Sequence, residues 1–321
     1  MILPFVEPNK ILECVVGSTA YGFATKDSDI DIKGITIPPL NYLLGLDTFE
    51  QQQYPGIDKE IYSLKKFVNL AAQCNPNIIE IICMPEIHIL HRDKYGVMLM
   101  ENADLFISKA ARHRFSGYAF AQLKRIKRHK AWIDGAPDRP NPMDYKYERH
   151  MILKEGEGGS WMPTKVDKYA YDRFEGEKWI EEGVAQEYEV AKKHFDDYNK
   201  WKRDRNPKRA ELEEKFGYDT KHACHLVRLL RMGIEILSGD GVLVDRRFAG
   251  DAEELLEIRR GKLSYEELVA YADECDAKLQ HLYETSDLRH TPDMKKINEL
   301  YMNIVCERFG ITIGKEESKE D

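Results

Sequence analysis

The pattern of apolar and polar positions changes character near residue 105. Before it, short apolar runs alternate with helical periods. Ile11 to Gly17 is an apolar run ending in glycine, as a buried strand meeting a tight turn does. Asp29 to Ile37 carries Ile30, Ile32, Ile35 and Ile37 before Pro38-Pro39 stops it. A second strand is predicted there, with Asp29 and Asp31 on one face and Ile30 and Ile32 turned into the core. A third strand runs from about Asp58 to Tyr62 and passes into a helix over Leu64–Cys74, with Leu64, Phe67, Val68 and Ala71 at helical spacing. Asn75-Pro76-Asn77 breaks that helix, and Ile78–Cys83 resumes an apolar segment that Pro85 ends. Beyond residue 105 the period is helical over Leu105–Trp132, Glu181–Lys202 and Tyr218–Leu237, with Asp134–Glu177 between the first two dense in Gly, Pro and charge. The expected fold is α+β: an α/β-like N-terminal domain with a small mixed sheet (1–104), then a basic helix bridging the domains (105–133). An irregular insertion or loop (134–177), a mainly helical C-terminal domain (178–314) and an acidic tail (315–321) follow.

Composition narrows the class. Of 321 residues, 42% are apolar and 32% charged, enough for a packed core and too apolar for a disordered chain. No run of about 18 apolar residues exists to span a bilayer. The first residues lack a basic and then apolar leader, so a cytoplasmic location without membrane contact is expected. Six cysteines stand singly, which suits free thiols in a reducing compartment. A net charge of −8 argues against general polyanion binding. Locally the balance reverses: Lys109 to Lys130 holds eight Lys/Arg and no acid.

The chemistry gathers near the N-terminus. Asp29 and Asp31 on one strand face repel each other unless a cation sits between them, and hard oxygen ligands suit Mg²⁺ or Mn²⁺. Asp27-x-Asp29-x-Asp31 begins like an EF-hand loop but fails it, with Ile32 where Gly and Pro38 where a bidentate Glu would be needed. Upstream, a strand ending in Gly17-Ser18 and opening a short helix offers backbone N–H groups and a hydroxyl to a phosphate. A third acid is required to complete two cation sites, and the third strand offers Asp58 and Glu60 on one face.

Gly17-Ser18-Thr19-Ala20-Tyr21-Gly22, Asp27-Ser28-Asp29-Ile30-Asp31, Leu64-Lys65-Lys66-Phe67 and Asn75-Pro76-Asn77 together resemble the DNA polymerase β-type nucleotidyltransferase superfamily. Within it they are most similar to a branch of predicted bacterial and phage nucleotidyltransferases, some associated with RNA ligases and RNA repair. Similarity is strong over residues 11–84, and a block near 217–260 also looks like the family. The resemblance implies that residues 1–104 are the catalytic domain. It implies that Asp29, Asp31 and Asp58 hold Mg²⁺ (or Mn²⁺), Asp58 being the acid six residues before the Leu-x-Lys element, while Gly17 and Ser18 hold the triphosphate of an NTP, ATP foremost. An acceptor hydroxyl then attacks the α-phosphorus and pyrophosphate leaves; the basic helix favours an RNA or tRNA 3′ end, while a protein side chain or a small-molecule hydroxyl would need only the same catalytic face.

Two helices are further candidates. In Tyr218–Leu237, Ala223, Leu226, Val227, Leu230, Ile234 and Leu237 form an apolar face, leaving Lys221, His225 and Arg228, with Arg231 at the border, as a basic stripe for the nucleotide. His222 and His225 beside Cys224 lack a fourth zinc ligand nearby. In the basic helix, Lys124, Arg125, Lys127 and Arg128 are interleaved with Phe115, Tyr118, Phe120 and Trp132, suited to a nucleic-acid backbone and stacked bases. Gly310 to Lys315 falls short of a P-loop by spacing and by Glu316. Alternatives are a non-catalytic RNA-binding adaptor and an antitoxin-like nucleotidyltransferase that adenylylates (AMPylates) protein.

Overall fold

The computed structural model describes residues 2–26, 28–140, 149–154, 157–163 and 184–312. Asp27 of the motif, Glu181-Glu182 and the 315–321 tail lie outside them. The N-terminal part is a five-stranded mixed sheet. Strand β1 (Lys10–Val16) runs into a single-turn helix α1 (Gly17–Ala20), and β2 (Asp31–Thr36) returns antiparallel to β1. After α2 (Leu40–Leu43) come β3 (Gln51–Gln53) and β4 (Lys59–Ser63), the latter parallel to β2 and antiparallel to β3. Helices α3 (Leu64–Ala71) and α4 (Pro76–Ile82) lead to β5 (Ile89–Arg92), which pairs antiparallel with β1 and completes the order β3-β4-β2-β1-β5. Ser63 caps α3 and Asn75 caps α4, each side chain accepting a first-turn N–H; Pro76 at the first turn loses no helical bond.

The sequence pattern marks β1, β2 and β4 but neither edge strand, because Gln51–Gln53 has no apolar face and Ile89–Arg92 is half polar and exposed. The segment Ile78–Cys83 lies mostly within helix α4. The inward orientation expected for Ile30 and Ile32 is corrected. β2 starts at Asp31, so Ile30 precedes the ladder and is 62% exposed, and Ile32 is half-buried. The buried end of β2 is Gly34 to Ile37, where both faces are covered.

Helix α5 (Lys94–Glu101) follows, then the long α6 (Ala111–Asp134). The described part of 134–177 contains an antiparallel pair, β6 (Arg149–Lys154) and β7 (Glu157–Pro163). The remainder is helical: α7 (Val184–Asp204), α8 (Pro207–Phe216), α9 (Thr220–Ser238), α10 (Arg246–Ala249), α11 (Ala252–Arg259), α12 (Tyr265–Thr285) and α13 (Met294–Phe309). Two compact units result. One joins Met1–Ile126 with Thr220–Asp321, and the other is Lys127–Asp219. In the first unit α9 packs on α11 and α12, and Gly233 admits the side chains of Phe115 and Leu279 where a Cβ would stand 3.1–3.2 Å from them. No helix among the described residues is long and apolar enough to cross a membrane.

Candidate active site

The turn after β1 brings the Gly-Ser element against Asp31 at the start of β2; the shared strand face expected for Asp29 and Asp31 is corrected, because Asp29 precedes the strand. Val16 pairs with Asp31, and Gly17 has φ +69°, a conformation that L side chains rarely adopt. A Cβ at position 17 would collide with the Asp31 carboxylate, so glycine is needed both for the turn and for the approach of that acid. Ser18 is half-buried on α1, whose N-terminus carries no side-chain cap.

Asp31 is the electrostatic centre of this corner. Burial pushes its carboxyl above the usual range, the charges of Asp58 and Asp29 push it the same way, and Lys221 and Lys33 oppose them. The Asp58 carbonyl also accepts from the Ile32 amide at 2.7 Å, continuing the β2–β4 register to the acid pair. Asp29 and Asp58 are exposed. Glu60 is occupied elsewhere: it accepts from Gln51 at 2.6 Å, from Gln53 at 3.2 Å and from the Tyr62 hydroxyl. Of the two acids offered by the third strand, Asp58 is therefore the one coupled to Asp31. Among the described residues no three His, Cys, Asp or Glu side chains are grouped to hold a metal ion. The donor set nevertheless fits one, since a hard divalent cation would relieve the opposed ionisation of Asp31 beside Asp58 and Asp29.

The expected basic stripe on α9 is corrected, because burial divides it. Lys221 and His225 are half-buried and engaged within the chain, Lys221 in the field of Asp31. Arg228 is 2% exposed, bonds Glu80 at 2.5 Å and lies over the Tyr21 ring at 3.8 Å. The Tyr21 hydroxyl donates to the same Glu80 at 2.7 Å. The guanidinium was assigned to the solvent face by helical period alone, but this helix is covered on nearly every side. Arg231 bonds Asp251 at 2.9 Å, Glu254 at 2.8 Å and the Tyr271 hydroxyl at 2.8 Å, which ties α9 to α11 and α12.

Sequence reasoning missed Glu80 and Tyr21, and the signal was present: a lone acid inside the apolar Pro76–Ile82 demands a buried partner. Behind Tyr21, its carbonyl accepts from the Arg246 amide at 3.1 Å, and Asp245 bonds His88 at 3.3 Å and Arg247 at 2.5 Å. Gly22, with φ +78°, makes room for Arg247 and Asp245, which a Cβ would meet at 2.8–2.9 Å. The block near 217–260 thus braces the chain that follows the Gly-Ser turn.

On α6, Lys124, Arg125, Lys127 and Arg128 are exposed, and none forms an ion pair among the described residues. The aromatic part of that expectation is corrected: Phe115 and Trp132 are buried, and the Tyr118 hydroxyl accepts from Asn75 at 3.0 Å. The six cysteines are free thiols; burial pushes Cys14 and Cys224 up to about 12, and they are inert.

The Gly-Ser turn thus meets Asp31 at the start of β2, on a mixed sheet, with Asp29 and Asp58 exposed and acting on the same carboxyl. Residues 7–147 match the family described as "RlaP: RNA repair pathway DNA polymerase beta family", so this part of the chain is similar to DNA polymerase β-type nucleotidyltransferases. A relative from Enterobacteria phage T4, described as "Uncharacterized 38.9 kDa protein in nrdC-mobD intergenic region", is 33% identical over 86 residues. The match covers 23% of this chain and 26% of the phage protein, so the chain spans about a quarter of that relative's length. No solved structure matches.

Proposed function

We propose that the protein transfers a nucleoside monophosphate from an NTP, ATP foremost, to a hydroxyl at an RNA or tRNA 3′ end, releasing pyrophosphate. The observation that carries this reading is the meeting of Asp31 with the Gly17 turn inside the shared field of Asp58 and Asp29. Gly17 and Ser18 bind the triphosphate through backbone N–H groups and a hydroxyl. Asp29, Asp31 and Asp58 would hold Mg²⁺ or Mn²⁺, which when bound supplies charge neutralisation at the attacking and leaving oxygens. Asp58 completes that set and helps to deprotonate the acceptor hydroxyl, a role supported by its exposure and its charge acting on Asp31. Lys221 balances the acids and is within electrostatic reach of a phosphate drawn to them. The family's tie to RNA repair and the exposed Lys124, Arg125, Lys127 and Arg128 support RNA as acceptor.

The test is incubation with each α-³²P-labelled NTP and Mg²⁺, with total RNA or with cell lysate, followed by denaturing gels. Label in RNA is expected, and its loss in Asp29→Ala and Asp31→Ala. A fully active double variant refutes the assignment, and label in a protein band moves the acceptor to protein. A non-catalytic adaptor is the second reading, and it draws on one observation, the exposed Lys124, Arg125, Lys127 and Arg128 of α6. It predicts no label, with salt-sensitive RNA binding that is indifferent to Mg²⁺ and to Asp29 and depends on Lys124, Arg125, Lys127 and Arg128.

A further inference from the structure

We propose that a cleft within the Lys127–Asp219 unit receives one unpaired nucleobase of the acceptor strand, an inference that rests on RNA being the acceptor. The cleft has a volume of about 260 Å³ and is walled by Trp132, Tyr198 and Trp201, with Lys202, Arg205, Glu213 and Glu214 around them. That is below the roughly 300–1,000 Å³ of clefts that enclose drug-sized molecules, and suits a single flat ring system.

Its walls are aromatic. Trp132 and Trp201 have ring centroids 5.3 Å apart, and Trp201 and Tyr198 5.9 Å apart, tilted at 42° and 38° rather than stacked face to face. Trp132 is buried and anchored, its indole N–H donating to His194 Nε2 at 2.9 Å. Tyr198 and Trp201 are only half-buried and keep surface toward solvent. Arg205 lies 4.8 Å over Trp201, and Arg128 lies 5.2 Å over Trp132. Arg128 is also the last of the exposed basic residues of α6, so a cation for a strand's phosphates stands beside a cleft whose accessible aromatic surface is that of Tyr198 and Trp201.

The acids identify the part of a nucleotide that enters. Glu213 is 3% exposed, holds His129 at 3.1 Å and stands 3.7 Å from Arg205, and Glu214 is exposed on the same cleft. Glu213 is already bonded within the cleft, and the exposed Glu214 repels a phosphate but accepts hydrogen bonds from a base's amino N–H groups. The base therefore goes in, and the phosphates stay at the exposed Lys202 and Arg128.

The test uses the full chain with Trp161→Phe and Trp179→Phe, which leaves Trp132 and Trp201 as the only indoles. Tryptophan fluorescence is followed during titration with a short single-stranded oligoadenylate RNA and with the same chain built from abasic sugars, both without NTP or metal. The oligoadenylate should quench the indoles and bind about 5- to 150-fold more tightly than the abasic strand, the range that stacking of one base supplies. Trp201→Phe should retain most of that difference and Trp201→Ala should lose it. Equal affinity for the two strands, binding without quenching, or no binding of either overturns the proposal. Comparing the two strands on the unaltered cleft keeps the result meaningful if Trp201→Ala does not fold. Since no transfer takes place in this assay, a failed transfer experiment leaves a base-dependent result standing, and the reverse.

Discussion

Asp31 shows how one residue carries opposite demands. It sits in the corner where Gly17 leaves no side chain, and both burial and neighbouring acids raise its proton affinity. The native state therefore holds the Asp31 proton to higher pH than the unfolded chain, whose value is near 3.8, so ionising this group weakens folding as pH rises through that value and above. Asp31→Asn should consequently raise the melting temperature of metal-free protein at about pH 7 and have little effect at about pH 3, where both states are already protonated. Nucleotidyl transfer should fall more than about a hundredfold in the same variant. Thermal melts at the two pH values, beside the radiolabel assay, measure both. A variant that is less stable at neutral pH contradicts the electrostatic account of this corner.

Among the elements, α9 decides most about the site's surroundings. Its Arg228 reaches Glu80 on α4, 148 residues away in sequence, and covers the ring of Tyr21, the residue that ends α1. Removing one member of a buried ion pair leaves the other uncompensated, so Arg228→Met should cost about 3–5 kcal/mol, read from urea unfolding. Adding Glu80→Gln, which removes the stranded charge but keeps an acceptor for the Tyr21 hydroxyl, should restore most of that loss. Equal destabilisation in the single and double variants would mean that packing of the guanidinium, rather than its charge, matters here. Helical period placed Arg228 with Lys221 and His225 because period alone knows only one buried face. Contacts from α11 and α12, from Glu80 of α4 and from Phe115 of α6 cover the others. The edge strands β3 and β5 escaped the pattern for the complementary reason, having almost no buried face to mark.

For the whole molecule, the Asp31 corner belongs to a unit assembled from two separated stretches, 1–126 and 220–321, with 127–219 between them in sequence. A fragment of residues 1–126 should therefore fail to fold cooperatively. It would expose the apolar surface that α9 covers and leave Glu80 without Arg228. Circular dichroism melts of that fragment beside the full chain test this, and a sharp, native-like transition in the fragment would count against it. The family match, residues 7–147, covers only one of the two stretches, so the fold around the N-terminal motif depends on chain that the match does not reach.

Local chemistry was legible from the sequence by itself. The Gly17-Ser18 turn, the Asp29 and Asp31 pair, strands β1, β2 and β4, and the helical second part rest on backbone period and on turn and capping preferences, which act over a few residues. Tertiary structure alone decided that Glu60 is taken up by Gln51, Gln53 and Tyr62, leaving Asp58, the acid the resemblance had indicated, in the field of Asp31. It likewise decided that Ile30 faces solvent, that Arg228 is interior while Lys124, Arg125, Lys127 and Arg128 are not, and that Trp132 belongs to the wall of a cleft. Those outcomes depend on which charges and rings share a region shielded from water. That sharing is set by segments tens to hundreds of residues apart, beyond the reach of any local pattern.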